Sequence, residues 1–326
     1  MQKMGVKAGK YQKDIENIKK ELAKALIGQE NIVNSCLKAL LCNGNILLEG
    51  VPGIAKTLLM RSLAAVIGCK FKRVQFTVDL LPSDILGITA YDQKRGFYIV
   101  KGPIFSNFFL ADEINRAPPK TQSALLEAMQ ERQVTIGKET FRLDNPFLVI
   151  ATQNPIESAG VYPLPEAQLD RFLFKISMGY PTAQEEKEIL KTNISIHGFE
   201  EFKLKVVVSQ KDTIKMQEET KKVFLSKDIE EYIVSIVDAT RHPHKYKVKL
   251  GDYIEYGCSP RASIGLFIAS KAEAFINSSK FVTPHDVKNS AYEVMRHRIL
   301  LNYEGQAEGI NTDDIITEIL SKVPVP

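Results

Sequence analysis

Residues 45–68 constrain the chain more than any other stretch, because three elements follow one another there without a break. Asn-Ile-Leu-Leu-Glu at 45–49 is a short apolar run stopped by Gly50, the pattern of a strand buried in a parallel sheet. From 56 to 67 apolar residues recur at helical spacing, and Gly68 follows as a C-cap. Buried-strand patterns return at 71–76, 107–112, 147–152 and 172–177, with a helical pattern at 122–132 behind the Pro118-Pro119 start. Strands alternating with helices predict an α/β layered sheet.

Two segments interrupt the alternation. Residues 88–101 read as a hairpin with the polar tip Asp92-Gln93-Lys94-Arg95. Residues 133–142 read as a second, turning at Gly137-Lys138, a pair suited to a type II′ turn. After Pro181 strand signals fade and helical patterns dominate. We therefore expect one unit over 1–180 and a helical one over 181–326.

The loop between the first strand and helix reads Gly50-Val51-Pro52-Gly53-Ile54-Ala55-Lys56-Thr57, with Leu58 next. Backbone N–H groups of such a loop converge on phosphate oxygens, helped by the positive end of the following helix. Lys56 would reach the terminal phosphates of ATP, and the Thr57 hydroxyl would hold Mg²⁺. Ala55 stands where the strict pattern has glycine, which is tolerable where no positive φ is required. A ligand-free glycine turn is the competing reading.

Phe108 to Glu113 is an apolar strand ending in two acids. Asp112 would hold Mg²⁺ through water, and Glu113 would polarise an attacking water. Alternatively, the pair merely opens the next turn. Asn154 follows the run 147–151 and could bridge that water to the γ-phosphate. Arg171 precedes the last strand and could simply pair with Asp170. Ser259-Pro260-Arg261 reads as N-cap, first and second helical positions. A cation there opposes the helix dipole at about 0.3–1 kcal/mol, which makes sense where an anion visits.

Composition excludes more than it proves. The 43 Lys and Arg against 39 Asp and Glu give a net +4, too small to argue for nucleic acid. The charged stretch 3–20 reads as a solvated helical arm. Cys36, Cys42, Cys69 and Cys258 form no CxxC pair, so reduced thiols are expected. His242 and His244 flank Pro243 in a charged loop and suit a surface better than a metal. With no secretory signal and no membrane-length apolar run, a soluble cytoplasmic protein is expected.

The order GVPGIAKT, LADEINRAPPKTQSALLEAMQE, IATQNP, LPEAQLDRF and GCSPRA closely resembles the MoxR family of AAA+ ATPases. The likeness runs from Ile27-Gly28-Gln29 to the terminal Val-Pro-Val-Pro and includes Arg296 to Leu301; Ala55 is at home in it. The resemblance implies a P-loop αβα sandwich with a five-stranded parallel sheet, then an all-α lid, with ATP and Mg²⁺ bound between them. By it Asn154 is sensor 1, Arg261 is sensor 2, and Arg171 is an arginine finger reaching a neighbour's nucleotide. Gly28 and Gln29 lie near the adenine, and Gln75 restrains Glu113. Residues 88–101 become the helix-2 insert and 133–142 the pre-sensor-1 hairpin, both facing the channel of a homo-oligomeric, hexameric ring.

The expected function is ATP-driven, chaperone-like remodelling or maturation of a partner. A protein with a von Willebrand factor A domain is the partner that the resemblance implies. A nucleic-acid motor is the first alternative, since the hairpins offer Lys94, Arg95, Lys101, Lys138 and Arg142 beside Tyr91, Phe97, Tyr98 and Phe141. Packing explains those alternating aromatics better, so nucleic acid is not favoured. A metal-chelatase motor subunit is the second alternative.

Overall fold

The apolar runs pair into one sheet in the computed structural model, which describes residues 8–51, 56–94, 96–154, 160–192 and 199–326. In chain order, α1 (Ala8–Leu22) and α2 (Glu30–Cys42) precede β1 (Ile46–Gly50). Next, α3 (Lys56–Val66) leads to β2 (Phe71–Gln75), and α4 (Pro82–Leu86) leads to a hairpin of β3 (Gly87–Asp92) and β4 (Gly96–Lys101). Then come β5 (Phe108–Asp112), α5 (Pro119–Glu131), a second hairpin of β6 (Gln133–Ile136) and β7 (Glu139–Arg142), β8 (Leu148–Gln153), the short α6 (Glu166–Leu169) and β9 (Phe174–Met178). The sheet runs β2-β5-β8-β1-β9, every pair parallel, and each strand lies within two residues of its expected bounds.

Strand parity builds the two cores. Ile46, Leu48, Phe108, Leu110, Leu148 and Ile150 point to one face, against Leu59, Met60 and Leu63 of α3. Leu47, Phe109, Ala111, Val149 and Ala151 point to the other, against Leu125, Leu126 and Met129 of α5. Central strands buried on both faces force all their chemistry to the strand ends. Gln75 sits opposite Asp112 in register, so two polar side chains meet at the carboxyl end of β2 and β5.

Turn chemistry follows the residues. Gly68 (φ 64) closes α3: its N–H donates to the Ala65 carbonyl, and the Cys69 N–H to that of Ala64, a Schellman pair. At the second hairpin Gly137 has φ 61 while Lys138 keeps a negative φ, as a type II′ turn requires. Tyr91 and Phe97 pair across the first hairpin with ring centroids 5.1 Å apart, and both are mostly exposed. Its tip residue Arg95 lies outside the described residues.

Beyond β9 the chain is largely helical: α7 (Ala183–Thr192), α8 (Gln210–Lys221), α9 (Lys227–Arg241), α10 (Pro260–Ile276), α11 (Pro284–Met295), α12 (Tyr303–Ala307) and α13 (Thr312–Lys322). One small antiparallel pair interrupts them, β10 (Ile254–Tyr256) with β11 (Leu300–Leu301). Two or three residues are too few to show alternation, so the sequence pattern concealed it. The N-terminal segment departs further from expectation. Tyr11, Ile15, Ile18 and Leu22 form a buried stripe on α1 and join the core of α3 and α10, so α1 is not a solvated arm. Its charges occupy the other face, and average composition hid the stripe. The four cysteines are free, and burial pushes their thiols up to about 12. His242 is exposed and hydrogen-bonds Asp238 at 2.8 Å.

Candidate functional site

The candidate residues fall into two groups, at opposite ends of the same sheet. At the carboxyl end, Gly50 finishes β1 and Lys56, Thr57 and Leu58 begin α3, all buried or half-buried except for Pro52, Gly53, Ile54 and Ala55, which lie outside the described residues. The Lys56 ammonium donates to the carbonyls of Gly50 and, at 3.5 Å, Gln153, so it bridges the ends of β1 and β8. Burial lowers its pKa, opposed by the charges of Asp112, Glu113 and Glu49. One ammonium facing three carboxylates beside a glycine-rich loop is the setting that a phosphate chain and a divalent cation would complete.

Asp112 and Glu113 sit where β5 ends. Asp112 Oδ1 accepts from the Thr152 hydroxyl at 2.6 Å, and Oδ2 accepts from Arg73 Nε at 2.9 Å. Glu113 adopts a left-handed backbone (φ 57, ψ 53), an uncommon state for a non-glycine residue. That kink aims its N–H at Thr152 Oγ1 (2.8 Å). Its carboxylate accepts from Gln75 Nε2 at 2.7 Å and pairs with Arg116 at 3.0 Å. The contact expected between Gln75 and Glu113 is therefore present. Asn154 is buried just past β8. A hydroxyl at Thr57 and a carboxylate at Asp112 form a hard-oxygen set of the kind Mg²⁺ takes. Gly28 (φ 69) and Gln29 lie in the turn between α1 and α2.

The second group lies at the amino end, where Asn45 precedes β1 and Arg171 to Leu173 precede β9. Arg171 is exposed, and its side chain makes no hydrogen bond or ion pair among the described residues. Arg261, half-exposed, reaches Asp170 Oδ2 at 3.6 Å. Ser259 caps α10 as expected, accepting from the Arg261 N–H and donating to Asp170 Oδ2 at 2.9 Å. Arg171 and Arg261 line one cavity with Asn43, Asp170 and Arg298. Arg261 is thus grouped with Arg171, at the end of the sheet remote from Lys56.

Comparison with known proteins bears on this arrangement. The model of the ATPase family associated with various cellular activities (AAA) matches residues 45–174, and that of the AAA lid domain matches 251–319. Chaperone MoxR1 of Mycobacterium tuberculosis is 45% identical over 308 residues, 94% of this chain and 81% of that protein. This chain belongs to the MoxR family of AAA ATPases. The uncharacterized protein YeaC of Bacillus subtilis is also 45% identical, over 97% of both chains. A crystal structure from Cytophaga hutchinsonii, described as a "putative ATPase", superposes with a TM-score of 0.92 at 48% identity over 98% of this chain and 97% of that one. As a MoxR-family member the chain binds nucleotide and hydrolyses ATP. No helix among its described residues is long and apolar enough to cross a membrane.

Three residues that hold the candidate side chains or their backbone carried no sequence signal strong enough to single them out. Thr152 links Asp112 to the Glu113 backbone, and a lone hydroxyl inside the apolar run 147–152 was its signal. Gln122 is fully buried on α5 and donates to the carbonyls of Ile114, Ala117 and Tyr162, fixing the turn after Glu113. Arg298 is buried and donates to Asp170 Oδ1 (2.7 Å) and to the carbonyls of Phe172 and Leu173. Its partners lie over a hundred residues away, which no local pattern reveals.

Proposed function

We propose that this MoxR-family ATPase works in the cytoplasm as a homo-oligomeric, hexameric ring, in which ATP hydrolysis drives chaperone-like remodelling or maturation of a partner protein. The observation that carries the reading is the separation of the candidate residues between the two ends of one sheet. A subunit with its phosphate loop and carboxylates at one end, and at the other an unpaired Arg171 side chain beside a loosely paired Arg261, suits a head-to-tail ring, where each interface completes one site. The AAA and lid matches support a nucleotide-binding core over 1–180 and a lid over 181–326.

In this reading Gly50 to Leu58 cradle the phosphates, and Gly28 and Gln29 flank the adenine. Thr57 and Asp112 would hold Mg²⁺, which would neutralise phosphate charge when bound. Glu113 takes the proton of the attacking water, and Asn154 orients that water. Arg171 serves as the finger of the neighbouring subunit's site, and Arg261, on the same end, acts there with it. The exposed Tyr91 and Phe97 of the first hairpin, and a groove of about 660 Å³ between the two hairpins, offer the partner an apolar surface. Lys101 lies over the rings of Phe105 and Phe141 at 4.9 and 4.8 Å, so one of the hairpin cations is committed to packing. That supports a protein partner over nucleic acid; one with a von Willebrand factor A domain fits the resemblance.

The test pairs two substitutions. Lys56→Ala should abolish ATP binding, because it removes the cation aimed at the terminal phosphates. Glu113→Gln should bind ATP normally while turnover falls by about 10²–10⁴. Near-normal affinity in Lys56→Ala by calorimetric titration would reduce the loop to a turn. A loss under tenfold in Glu113→Gln would move the base elsewhere.

A further inference from the structure

Arg73 is not among the residues assigned so far, yet it has the most direct hold on the carboxylate group. It lies on β2, at the edge of the sheet. Its Nε and Nη2 approach the same oxygen, Asp112 Oδ2, at 2.9 and 2.7 Å. Nη2 also donates to Gln75 Oε1 at 2.9 Å. Gln75 in turn donates to Glu113. With Thr152 on Oδ1, both oxygens of Asp112 are engaged, and both acids are tied to one guanidinium, directly or through Gln75. The fold has little use for this arginine: its side chain is 46% exposed, and Asp112 and Gln75 are its only polar partners among the described residues.

We propose that Arg73 is a positioning residue that stands in for the metal: it holds Asp112 and Gln75 in the metal-free arrangement and yields Asp112 when the Mg²⁺–ATP complex enters. The inference rests on the reading of Asp112 as a magnesium-side carboxylate. A guanidinium on Oδ2 and a divalent cation beside it repel each other, so each state weakens the other. The half-exposed arginine can turn into solvent, whereas the Asp112 side chain is only 13% exposed and stays. Departure of Arg73 also frees Gln75 Oε1, which loosens the hold on Glu113 in the same event. Metal entry and release of the water-polarising acid are thereby coupled through one side chain.

The test compares affinity for a non-hydrolysable ATP analogue in excess Mg²⁺ and in excess EDTA, using the full chain. Removing Arg73 acts on both limbs in the same sense. Without metal, an uncompensated Asp112 repels the phosphates and weakens binding. With metal, no counter-ion has to be displaced, and binding tightens. Arg73→Ala and Arg73→Gln should therefore raise the Mg²⁺/EDTA affinity ratio by about threefold to tenfold, the range for one half-exposed, two-donor charge pair. Arg73→Lys keeps the charge and should change the ratio less. An unchanged or lowered ratio in both the Ala and Gln variants, with the unaltered protein still binding, overturns the role of Arg73 alone. Failure of the unaltered protein to bind better than Lys56→Ala would overturn the reading of the nucleotide site itself, and the inference with it.

Discussion

The carboxyl and amino ends of the central sheet both carry arginines, but in different states. At the carboxyl end each acid has a partner from its own chain: Arg73 for Asp112, and Gln75 and Arg116 for Glu113. Those partners are half-exposed and can be exchanged for a ligand. At the amino end, the buried Arg298 holds Asp170 Oδ1 and the carbonyls around it and Ser259 holds Oδ2, leaving Arg261 at 3.6 Å and the Arg171 side chain with no polar partner among the described residues. Burial thus divides one residue type into scaffold and spare charge. A surface arginine held at a fixed place by a buried one is suited to meet an anion supplied from outside the subunit.

The strongest way to break the comparison is to ask whether the two ends serve one subunit or two. A finger supplied by a neighbour contributes roughly 10³–10⁵ in rate. Arg171→Ala should therefore bind ATP normally and lose most turnover. Mixed with Lys56→Ala it should recover part, because some interfaces then pair an intact loop with an intact arginine. If Arg171 acted within its own subunit, no mixture would recover, since every subunit would lack one essential group. Sedimentation must first establish that mixed assemblies form; inactive mixed assemblies at all ratios would end the trans assignment.

A smaller effect, on stability, should follow from Arg298→Met. The side chain is buried and charged, and burial lowers its pKa against the pull of Asp170. Breaking such a pair leaves Asp170 Oδ1 and several carbonyls without their Arg298 donors, a cost of about 3–5 kcal/mol, although Ser259 still holds Oδ2. The denaturation midpoint should drop accordingly, whereas Arg171→Ala, which removes no partner, should leave it nearly unchanged. Equal stability of the two variants would erase the distinction between scaffold and spare charge.

Much of the fold was legible because buried parallel strands are continuous apolar runs, and all five were found within two residues of their ends. The two acids ending β5 and the Ser259 cap were legible because each depends on neighbours in sequence. The buried stripe of α1 was not, since lysines and glutamates interleave with Tyr11, Ile15, Ile18 and Leu22 and mask a period of 3.6. The place of Arg261 was also hidden. Its cap could be read from Ser259 and Pro260, but the end of the sheet it faces depends on how α10 packs against the rest of the fold. Contacts across a hundred residues, such as Arg298 with Asp170, leave no local trace.

The smallest expected effect sharpens the carboxyl end alone. Gln75 donates to Glu113 Oε2 at 2.7 Å, but Arg116 reaches the same oxygen at 3.0 Å, so removing Gln75 does not free the acid completely. Gln75→Ala should leave ATP affinity unchanged and raise basal turnover by about twofold to fivefold, less than a full charged hydrogen bond because Arg116 remains. Stimulation by a partner should shrink in proportion, as part of the restraint it would relieve is already gone. The variant also tests the link to Arg73. If Arg73 restrains Glu113 only through Gln75, the double variant should turn over no faster than Gln75→Ala alone, a coupling that a double-mutant cycle reads directly. Additive increases would mean that the two side chains act separately. A tenfold fall in turnover for Gln75→Ala, at unchanged affinity, would make Gln75 part of the chemistry instead of a restraint on it.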